Sequence, residues 1–524
     1  METYDDAAFE RFCAGLVNEG FSPVRDTGQA KWTGPLRESL QPLTDATRMQ
    51  IHFYQGWPLR YAHITVLGLK TEHAGQGIIC LWADDDPAQI AGRDLQTFWQ
   101  RVDEWAQTVQ LGFRMEDRAL DAYLLFDKTT SYQAELPFGD LIRAGTNGYR
   151  APLVATTRGD RLLMIELAPT TGPKPDEPAS LRGAFYLRRH IDTPPRSLAD
   201  FRAALTRKQT RDLDQGLATR TDTAFPAASG GYDFAVLAWP RHDRDHDAVV
   251  VVFKGAGDML EASAIAATPN DIAARQRRAG PDATALADKR ILIAGAGSVG
   301  GHVALSLAAS GAGLIRLHDR DRLTTANLVR HASGKFGVGY NKAIAMAVAI
   351  DEHAPWTAVE PMTDNLPDNP SQLASNIEGF HLVIDCTGTL PFTAAVAEVC
   401  RRTDTPLITG ALFHQGAIAR VQRQADGDTL IAARPSDPTY SNLPPEDPRE
   451  PNAGFLELGC TAPVNNAPPT AVLATAADIA LAAVDFLTGR RDRADERILV
   501  FQPMAAAAPF DATGGYDHNT GENE

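Results

Sequence analysis

A glycine-rich turn in the second half of the chain has the residue types that bind phosphate. Gly295, Gly297 and Gly300 form the pattern G-x-G-x-x-G directly after the apolar stretch 291–294. Glycine permits a tight turn and a close approach of backbone to phosphate, and the N–H groups that begin the next helix favour an anion. The turn therefore predicts a nucleotide site. A turn without a ligand is the alternative, which the flanking strand and helix patterns disfavour.

Polar residues beyond the next predicted strand indicate which nucleotide. Asp319 and Asp321 follow the strand pattern "LIRLH", and Asn327, Arg330 and Lys342 come soon after. A dinucleotide site needs one acid for its ribose, but it does not need this further set. Arginine and lysine neutralise phosphoryl charge, and asparagine donates to an oxygen. We therefore expect a polyphosphate site and disfavour an NAD-dependent dehydrogenase. For any one of these residues alone, a solvated charged loop is the alternative.

Two cysteines have positions that suit a nucleophile. Cys460 ends the Pro-rich segment "RPSDPTYSNLPPEDPREPNAG…" and precedes an Ala-rich helix pattern. A loop thiol beside a helix N-terminus has a lowered pKa and can capture an acyl group, although a buried structural cysteine is the alternative. Cys80 follows His73 and two glycines in "TEHAGQGIICLW", and taken alone it is more typical of a core residue. Three other cysteines lie in apolar helix or strand patterns and are predicted to be core residues: Cys13, Cys386 and Cys400.

The elements that must position these residues fall into four segments. A chain of 524 residues is too long for one core. Short strands mixed with helices predict an α+β domain over residues 1–140, and strand patterns between Pro- and Gly-containing loops predict an α+β linker domain over 141–268. Alternating strands and helices predict an α/β domain with a doubly wound parallel sheet over 269–510. The polar segment 511–524 is predicted to be a disordered tail.

Composition excludes several classes of function. The net charge of −16 disfavours a nucleic-acid surface. The five cysteines lie far apart without a C-x-x-C pair, which disfavours a zinc site and a disulfide framework. No apolar run approaches the roughly 20 residues that span a bilayer, and the N-terminus lacks a signal-peptide pattern. We expect a cytoplasmic protein that binds neither nucleic acid nor membrane.

The motif order "GAGSVGG…HDRD…ANLVRH…NKA…VIDCTG" resembles the adenylating domain of the ThiF/ubiquitin-activating superfamily. That resemblance implies a Rossmann-like domain that uses ATP and Mg²⁺ to adenylate the C-terminal glycine of a protein. It implies that Asp319 holds the ribose, and that Asn327, Arg330 and Lys342 contact the phosphates. It also implies a homodimer.

Two positions depart from the family pattern or leave a choice open. In this family an upstream arginine often contacts the phosphates as well, and Arg275, Arg277 and Arg278 are the candidates here. Arg278 is the residue that we predict, although the sequence does not decide among the three. The family's magnesium aspartate falls at Gly388. Asp385 is the nearest carboxylate and the substitute metal candidate, unless it only shapes the end of its strand. The four-cysteine zinc site of several members is missing, so zinc is expected to be absent.

The segment around Cys80 resembles the active-site segment of ubiquitin-conjugating enzymes, without the usual "HPN" motif. An order of conjugating-like domain, linker and activating domain resembles the fusion proteins of bacterial CBASS antiphage operons. This implies a thioester relay from Cys460 to Cys80 and then to a target lysine, with a cGAS-like nucleotidyltransferase as the activated protein. Activation of a ubiquitin-like or sulfur-carrier protein, with residues before 270 as a binding scaffold, is the alternative.

Overall fold

The computed structural model describes residues 2–25, 27, 30–69, 71, 74–75, 77–82, 86–111, 120–169, 180–240, 246–436, 467–506 and 508–518. Contacts divide the chain into two compact units, Met1–Asp271 and Ile272–Glu524. This division lies close to the boundary at 268/269 that the sequence predicts.

The first unit has five described α-helices and thirteen described strands. The helices are α1 (Asp6–Asn18), α2 (Leu95–Leu111), α3 (Phe138–Thr146), α4 (Leu198–Ala204) and α5 (Arg207–Ala218). The strands are β1 (Ser22–Pro23), β2 (Lys31–Pro35), β3 (Arg48–His52), β4 (His63–Thr65), β5 (Ala74–Gly75), β6 (Ile78–Ile79), β7 (Thr129–Leu136), β8 (Ala151–Arg158), β9 (Leu162–Leu167), β10 (Leu181–Leu187), β11 (Phe234–Pro240), β12 (His246–Lys254) and β13 (Glu261–Pro269).

The first six strands form an antiparallel sheet in the order β1-β2-β3-β4-β6-β5. Helices α1 and α2 share one apolar core with this sheet. Phe98, Val102 and Trp105 are all buried, because residues three and four apart fall on one face of a helix. The short hairpin of β5 and β6 ends one residue before Cys80.

Strands β7 to β13 close into a barrel in the order β10-β11-β12-β13-β7-β9-β8. Along β12, Val250 and Val252 join a core with α3, whereas Val249 and Val251 join a second core with α4 and α5. The barrel starts before the predicted boundary at 140/141, since β7 pairs in parallel with β13 and β9. Sequence patterns located these strands, but the barrel itself was not predicted.

The second unit has seven described α-helices and eight described strands. The helices are α6 (Ile272–Gln276), α7 (Ala283–Leu286), α8 (Ser298–Ala309), α9 (Lys342–His353), α10 (Pro370–Ile377), α11 (Leu390–Thr403) and α12 (Pro469–Leu487). The strands are β14 (Arg290–Ala294), β15 (Leu314–His318), β16 (Ala358–Met362), β17 (Leu382–Asp385), β18 (Leu407–Phe413), β19 (Ile418–Gln424), β20 (Glu496–Val500) and β21 (Gly514–His518).

The eight strands form one sheet in the order β16-β15-β14-β17-β18-β19-β20-β21. The first five are parallel, and the last three are added antiparallel. Ile291 and Ile293 pack with α8, α9 and α12, whereas Leu292 and Ala294 pack with α10 and α11. Both faces are thus covered, which confirms the doubly wound Rossmann-type domain. The strand order reverses between β14 and β17, and ligands of such sheets bind at the carboxyl ends of the strands there.

Helix α12 is the one described helix long and apolar enough to cross a membrane. It packs instead against α8 and β18. Its buried residues include Asp478, which pairs with the side chain of Arg493, and Asp485, which accepts the backbone N–H of Arg493 at 3.1 Å. These contacts make α12 a core helix of the second unit.

The prediction of a disordered tail over 511–524 is wrong for residues 514–518, which form β21 on the edge of the sheet. The composition is polar, but Tyr516 packs beside Ile498, Val500 and the fully buried Phe510. Arg497 also pairs with Asp517 at 3.0 Å. The packing of Tyr516 and the pairing with β20 therefore order this segment, although its polar composition predicts disorder.

Candidate functional site

The glycine turn follows β14 at the switch point of the second sheet. Gly295 has φ +91°, a conformation that glycine adopts readily, and its N–H donates to the carbonyl oxygen of His318 at 2.8 Å. A Cβ atom at Gly300 would overlap the carbonyl oxygen of Gly295, whereas a Cβ at Gly297 would meet nothing within 4 Å. Gly300 thus closes the turn, and Gly297 leaves open space above it. Because no side chain caps α8, its first N–H groups are available to an anion.

Asp319 joins the glycine turn to the end of β15. Its carboxylate accepts the N–H of Ala296 at 2.8 Å and the N–H of Asp321 at 2.8 Å. Its side chain is buried, and burial raises the pKa of this carboxyl while nearby Lys342 opposes the rise. Asp319 therefore fixes the shape of the turn, in addition to any contact it makes with a ligand.

Lys342 and Asp321 form an ion pair in the cleft beneath the turn. The Nζ atom lies 2.9 Å from Oδ2 of Asp321, and Lys342 is 14% exposed against 48% for Asp321. The cleft has a volume of about 710 Å³, and both residues line it with Gly295, Gly297 and Asp319. This volume is within the usual range for small-molecule sites. The structure thus gathers five of the predicted site residues around one cavity.

The cleft wall also contains residues that the sequence analysis missed. They come from the end of β15, the loop after β16, the turn after β17 and the start of α11: His318, Arg320, Asn365, Leu366, Pro367, Asp368, Thr387, Thr389 and Phe392. Only their place in the chain could have indicated these residues, because the loops at the carboxyl ends of β16 and β17 flank the switch point. No residue type in these loops is diagnostic by itself.

Three predicted phosphate ligands are not among the residues that line this cleft. The Asn327 side chain accepts the N–H and hydroxyl of Thr324 at 3.0 and 2.9 Å, and so caps the short helix Thr325–Val329 that precedes Arg330. Arg278 is exposed at the end of α6. The alternative Arg275 donates to the backbone carbonyls of Glu352 and His353, at the end of α9. Phosphate contact by Asn327, Arg330 and Arg278 stays a prediction.

The structure contradicts Asp385 as an available magnesium ligand. Asp385 is 1% exposed, and one carboxylate oxygen accepts the N–H and hydroxyl of Thr387 while the other accepts the hydroxyl of Thr393 at 2.6 Å. The carboxylate therefore shapes the turn from β17 into α11. Gly388, where the family has its aspartate, has φ +65° and offers no side chain. These two positions do not fit a magnesium ion, so we assign no step to one here.

Replacing Asp385 with alanine is expected to lower the free energy of unfolding by about 2–3 kcal/mol, because buried donors lose their acceptors. The near-isosteric Asp385→Asn should fold and should bind nucleotide with the wild-type dependence on magnesium concentration. Urea unfolding and magnesium titrations of nucleotide binding measure both. A several-fold shift of the magnesium midpoint in folded Asp385→Asn would contradict this assignment.

Cys80 is exposed, just after the hairpin of β5 and β6. Its Sγ atom lies 3.6 Å from the carbonyl oxygen of Trp82, which also accepts the hydroxyl of the buried Tyr61 at 3.3 Å. Sequence reasoning missed Tyr61. His73 lies outside the described residues. The exposed thiol differs from the core cysteine that this segment alone predicted.

The other described cysteines are poor nucleophiles. Burial raises the pKa of Cys13 to about 11 and that of Cys400 to about 12. Burial also raises the pKa of Cys386, and the charge of Asp385 adds to that rise. Cys13 and Cys400 are buried, as the sequence predicts, whereas Cys386 is half-buried and lines the cleft. Cys460 lies outside the described residues, and its role stays a prediction.

Comparison with known proteins finds a family that is similar to most of the second unit. Residues 273–511 match the model of the ThiF family. The ATP-dependent ubiquitin transferase-like protein Cap2 of Enterobacter hormaechei is 32% identical over 121 residues, which are 23% of this chain and 20% of that protein. The molybdopterin-synthase adenylyltransferase of Escherichia coli is 30% identical over 145 residues, or 28% of this chain and 57% of the relative.

The tRNA threonylcarbamoyladenosine dehydratase of Escherichia coli is 36% identical over 125 residues, which are 24% of this chain and 46% of that enzyme. The matches thus span about a fifth to just over half of these relatives. Their names describe different reactions on one kind of domain. Over residues 273–511, this chain is therefore similar to the ThiF family.

Proposed function

We propose that this protein uses ATP to adenylate the carboxylate of a C-terminal glycine on another protein. The observation that carries the proposal is one cleft in which the glycine turn, the start of α8 and Lys342 converge. N–H groups and an ammonium ion are the donors that a polyphosphate requires. The name of the molybdopterin-synthase relative supports an adenylyltransferase.

In this reaction, an oxygen of the glycine carboxylate attacks the α-phosphorus of ATP. The acyl adenylate forms, and pyrophosphate leaves. The chain supplies the N–H groups of the turn for the phosphates, Asp319 for the ribose and Lys342 for the developing charge. Lys342 must exchange its contact with Asp321 for a phosphate oxygen, and the wide cleft gives it room to do so.

We further propose that Cys460 captures the acyl group as a thioester, that Cys80 receives it by transthiolation, and that a target lysine takes it as an isopeptide. The exposed thiol of Cys80 after a short hairpin supports the second step. The name of the Cap2 relative, a ubiquitin transferase-like protein, supports conjugation in that relative. By resemblance to CBASS fusion proteins, the activated protein is a cGAS-like nucleotidyltransferase in antiphage defence.

A homodimer of the second unit also belongs to this proposal. Exposed apolar side chains lie on α9 and α12, the helices that flank α8 on one face of the sheet: Ile344, Val348, Leu473 and Leu481. An apolar helix face in a soluble unit suits contact with a second copy. Light scattering on purified protein measures the assembly.

The second candidate function is activation of a carrier protein without its conjugation to a lysine. The chain would activate a ubiquitin-like or sulfur-carrier protein, and the first unit would only bind it. The similarity to a molybdopterin-synthase adenylyltransferase favours this candidate. A gene for a small protein ending in glycine beside this one, rather than a nucleotidyltransferase gene, would support it.

The relay is tested with purified protein, ATP, magnesium and the protein encoded by the adjacent gene. We expect a reductant-sensitive adduct on non-reducing gels that Cys460→Ala abolishes. Cys80→Ala should keep this adduct but form no isopeptide product. Cys13→Ala is the matched control and should behave as wild type. An adduct that survives both substitutions would make the chain an adenylating enzyme whose acceptor lies elsewhere.

Brief treatment of the folded protein with N-ethylmaleimide distinguishes the two candidates. Cys80 is expected to react much faster than Cys13 or Cys400, since the latter two thiols are buried and their pKa values are raised. Peptide mass spectrometry reports each site separately, and protein unfolded in urea gives the unprotected rates. Protection of Cys80 equal to that of Cys400 would favour the scaffold.

A further inference from the structure

One polar atom in the wall of the cleft lacks a partner. His318 is the last residue of β15 and lines the cleft, but its side chain is only 3% exposed. Among the residues that the structure describes, its Nε2 atom is buried without a hydrogen-bond partner. A buried polar atom without a partner is costly and calls for an explanation.

The other ring nitrogen fixes the protonation of the imidazole. Nδ1 lies 3.3 Å from the backbone carbonyl oxygen of Asp364. A carbonyl oxygen can only accept, so Nδ1 carries the hydrogen. Burial lowers the pKa of His318, which keeps the ring neutral near pH 7. Nε2 therefore presents a lone pair, and what it lacks is a donor.

The position of His318 indicates what that donor belongs to. Ile315 and Leu317 pack towards α8 and α9, so His318 lies on the opposite face of β15, with α10 and α11. Leu366 and Phe392 are on this face and line the same cleft. Apolar side chains beside a buried hydrogen-bond acceptor suit a flat, mostly apolar base that carries an amino group.

We propose that Nε2 of His318 accepts a hydrogen bond from the 6-amino group of adenine, and so selects ATP over purine nucleotides with a 6-oxo group. This assignment rests on the proposed function, since it gives a specificity to the same cleft. A 6-oxo group would place a second acceptor against the lone pair. The buried Nε2 would then remain unpaired, and sites of this kind discriminate strongly against such a ligand.

The first test uses the wild-type protein with magnesium and three ligands in calorimetric titrations: ATP, inosine triphosphate and purine riboside triphosphate. Inosine triphosphate has the 6-oxo group, and purine riboside triphosphate has only hydrogen at that position. We expect ATP to bind roughly tenfold more tightly than either analogue, as for the loss of one buried hydrogen bond.

The second test removes or replaces the acceptor at position 318. His318→Leu should reduce the ratio of ATP to analogue affinity towards one. His318→Gln carries an acceptor oxygen at similar reach and should restore much of the ratio. Thermal unfolding of each variant establishes that it is folded, and if neither folds, the wild-type series decides alone.

The results distinguish a failure of the role of His318 from a failure of the proposed ATP site. Equal binding of all three nucleotides by the wild type, or an unchanged ratio in folded His318→Leu, would overturn the role of His318 and leave the ATP site standing. Failure of the wild type to bind any of the three would remove the proposed function, and this inference with it.

Discussion

Replacing Gly300 with alanine is expected to abolish nucleotide binding. A Cβ atom at this position would overlap the carbonyl oxygen of Gly295, which is backbone and cannot rotate away. The turn must therefore deform, and overpacking of this kind costs about 1–3 kcal/mol of stability. Calorimetric titration with ATP measures the binding, and urea unfolding measures the stability.

Gly297→Ala is the matched control for this expectation. Gly297 has ordinary helix-entry geometry with φ −74°, and a Cβ there would meet only open space. The variant should keep wild-type stability but weaken ATP binding, because the methyl group stands where the backbone must approach a phosphate. Wild-type affinity in folded Gly300→Ala would contradict a phosphate site at this turn.

Replacing Lys342 with alanine is expected to slow adenylation by about 10²–10³-fold, the usual loss when one preorganised charge partner of a reaction is removed. Its ammonium group lines the cleft from the first residue of α9 and is held in place by Asp321. ATP–pyrophosphate exchange, with the adjacent gene's product as acyl donor, measures this step.

Lys335→Ala removes a lysine from the same connection between β15 and α9, but Lys335 is exposed and does not line the cleft. That variant should exchange pyrophosphate as fast as wild type. Equal losses in the two lysine variants would indicate a general effect of charge and would contradict a specific phosphate contact by Lys342.

The sequence predicts the doubly wound sheet of the second unit well because its signals are local. The glycine turn, the following helix and Asp319 lie within one strand–helix–strand unit, where chain order and spatial order agree. The ion pair of Lys342 with Asp321 could not be predicted, because it depends on how α9 packs beside β15. The inward direction of Asp385 depends on hydroxyl groups of Thr387 and Thr393, which carry no distinctive pattern.

The first unit was less predictable. Apolar stretches located strands such as β11 and β12, but closure requires β7 to pair with β13, a segment far along the chain. Pairings between distant segments leave no short-range signal. Tyr61 was missed for the same reason, since only the folded hairpin brings its hydroxyl to the carbonyl oxygen of Trp82.

The closure of the barrel has a consequence for how the protein is made on the ribosome. Thr129 pairs with Ala264, so the first strand of the barrel must wait for the last strand to be synthesised. Until then β7 has an unpaired edge, and such edges are prone to pair with other chains. Truncation anywhere between these strands leaves that edge open permanently. Fragments that carry both Cys80 and β7 should therefore end after Pro269 if they are to stay monomeric and soluble.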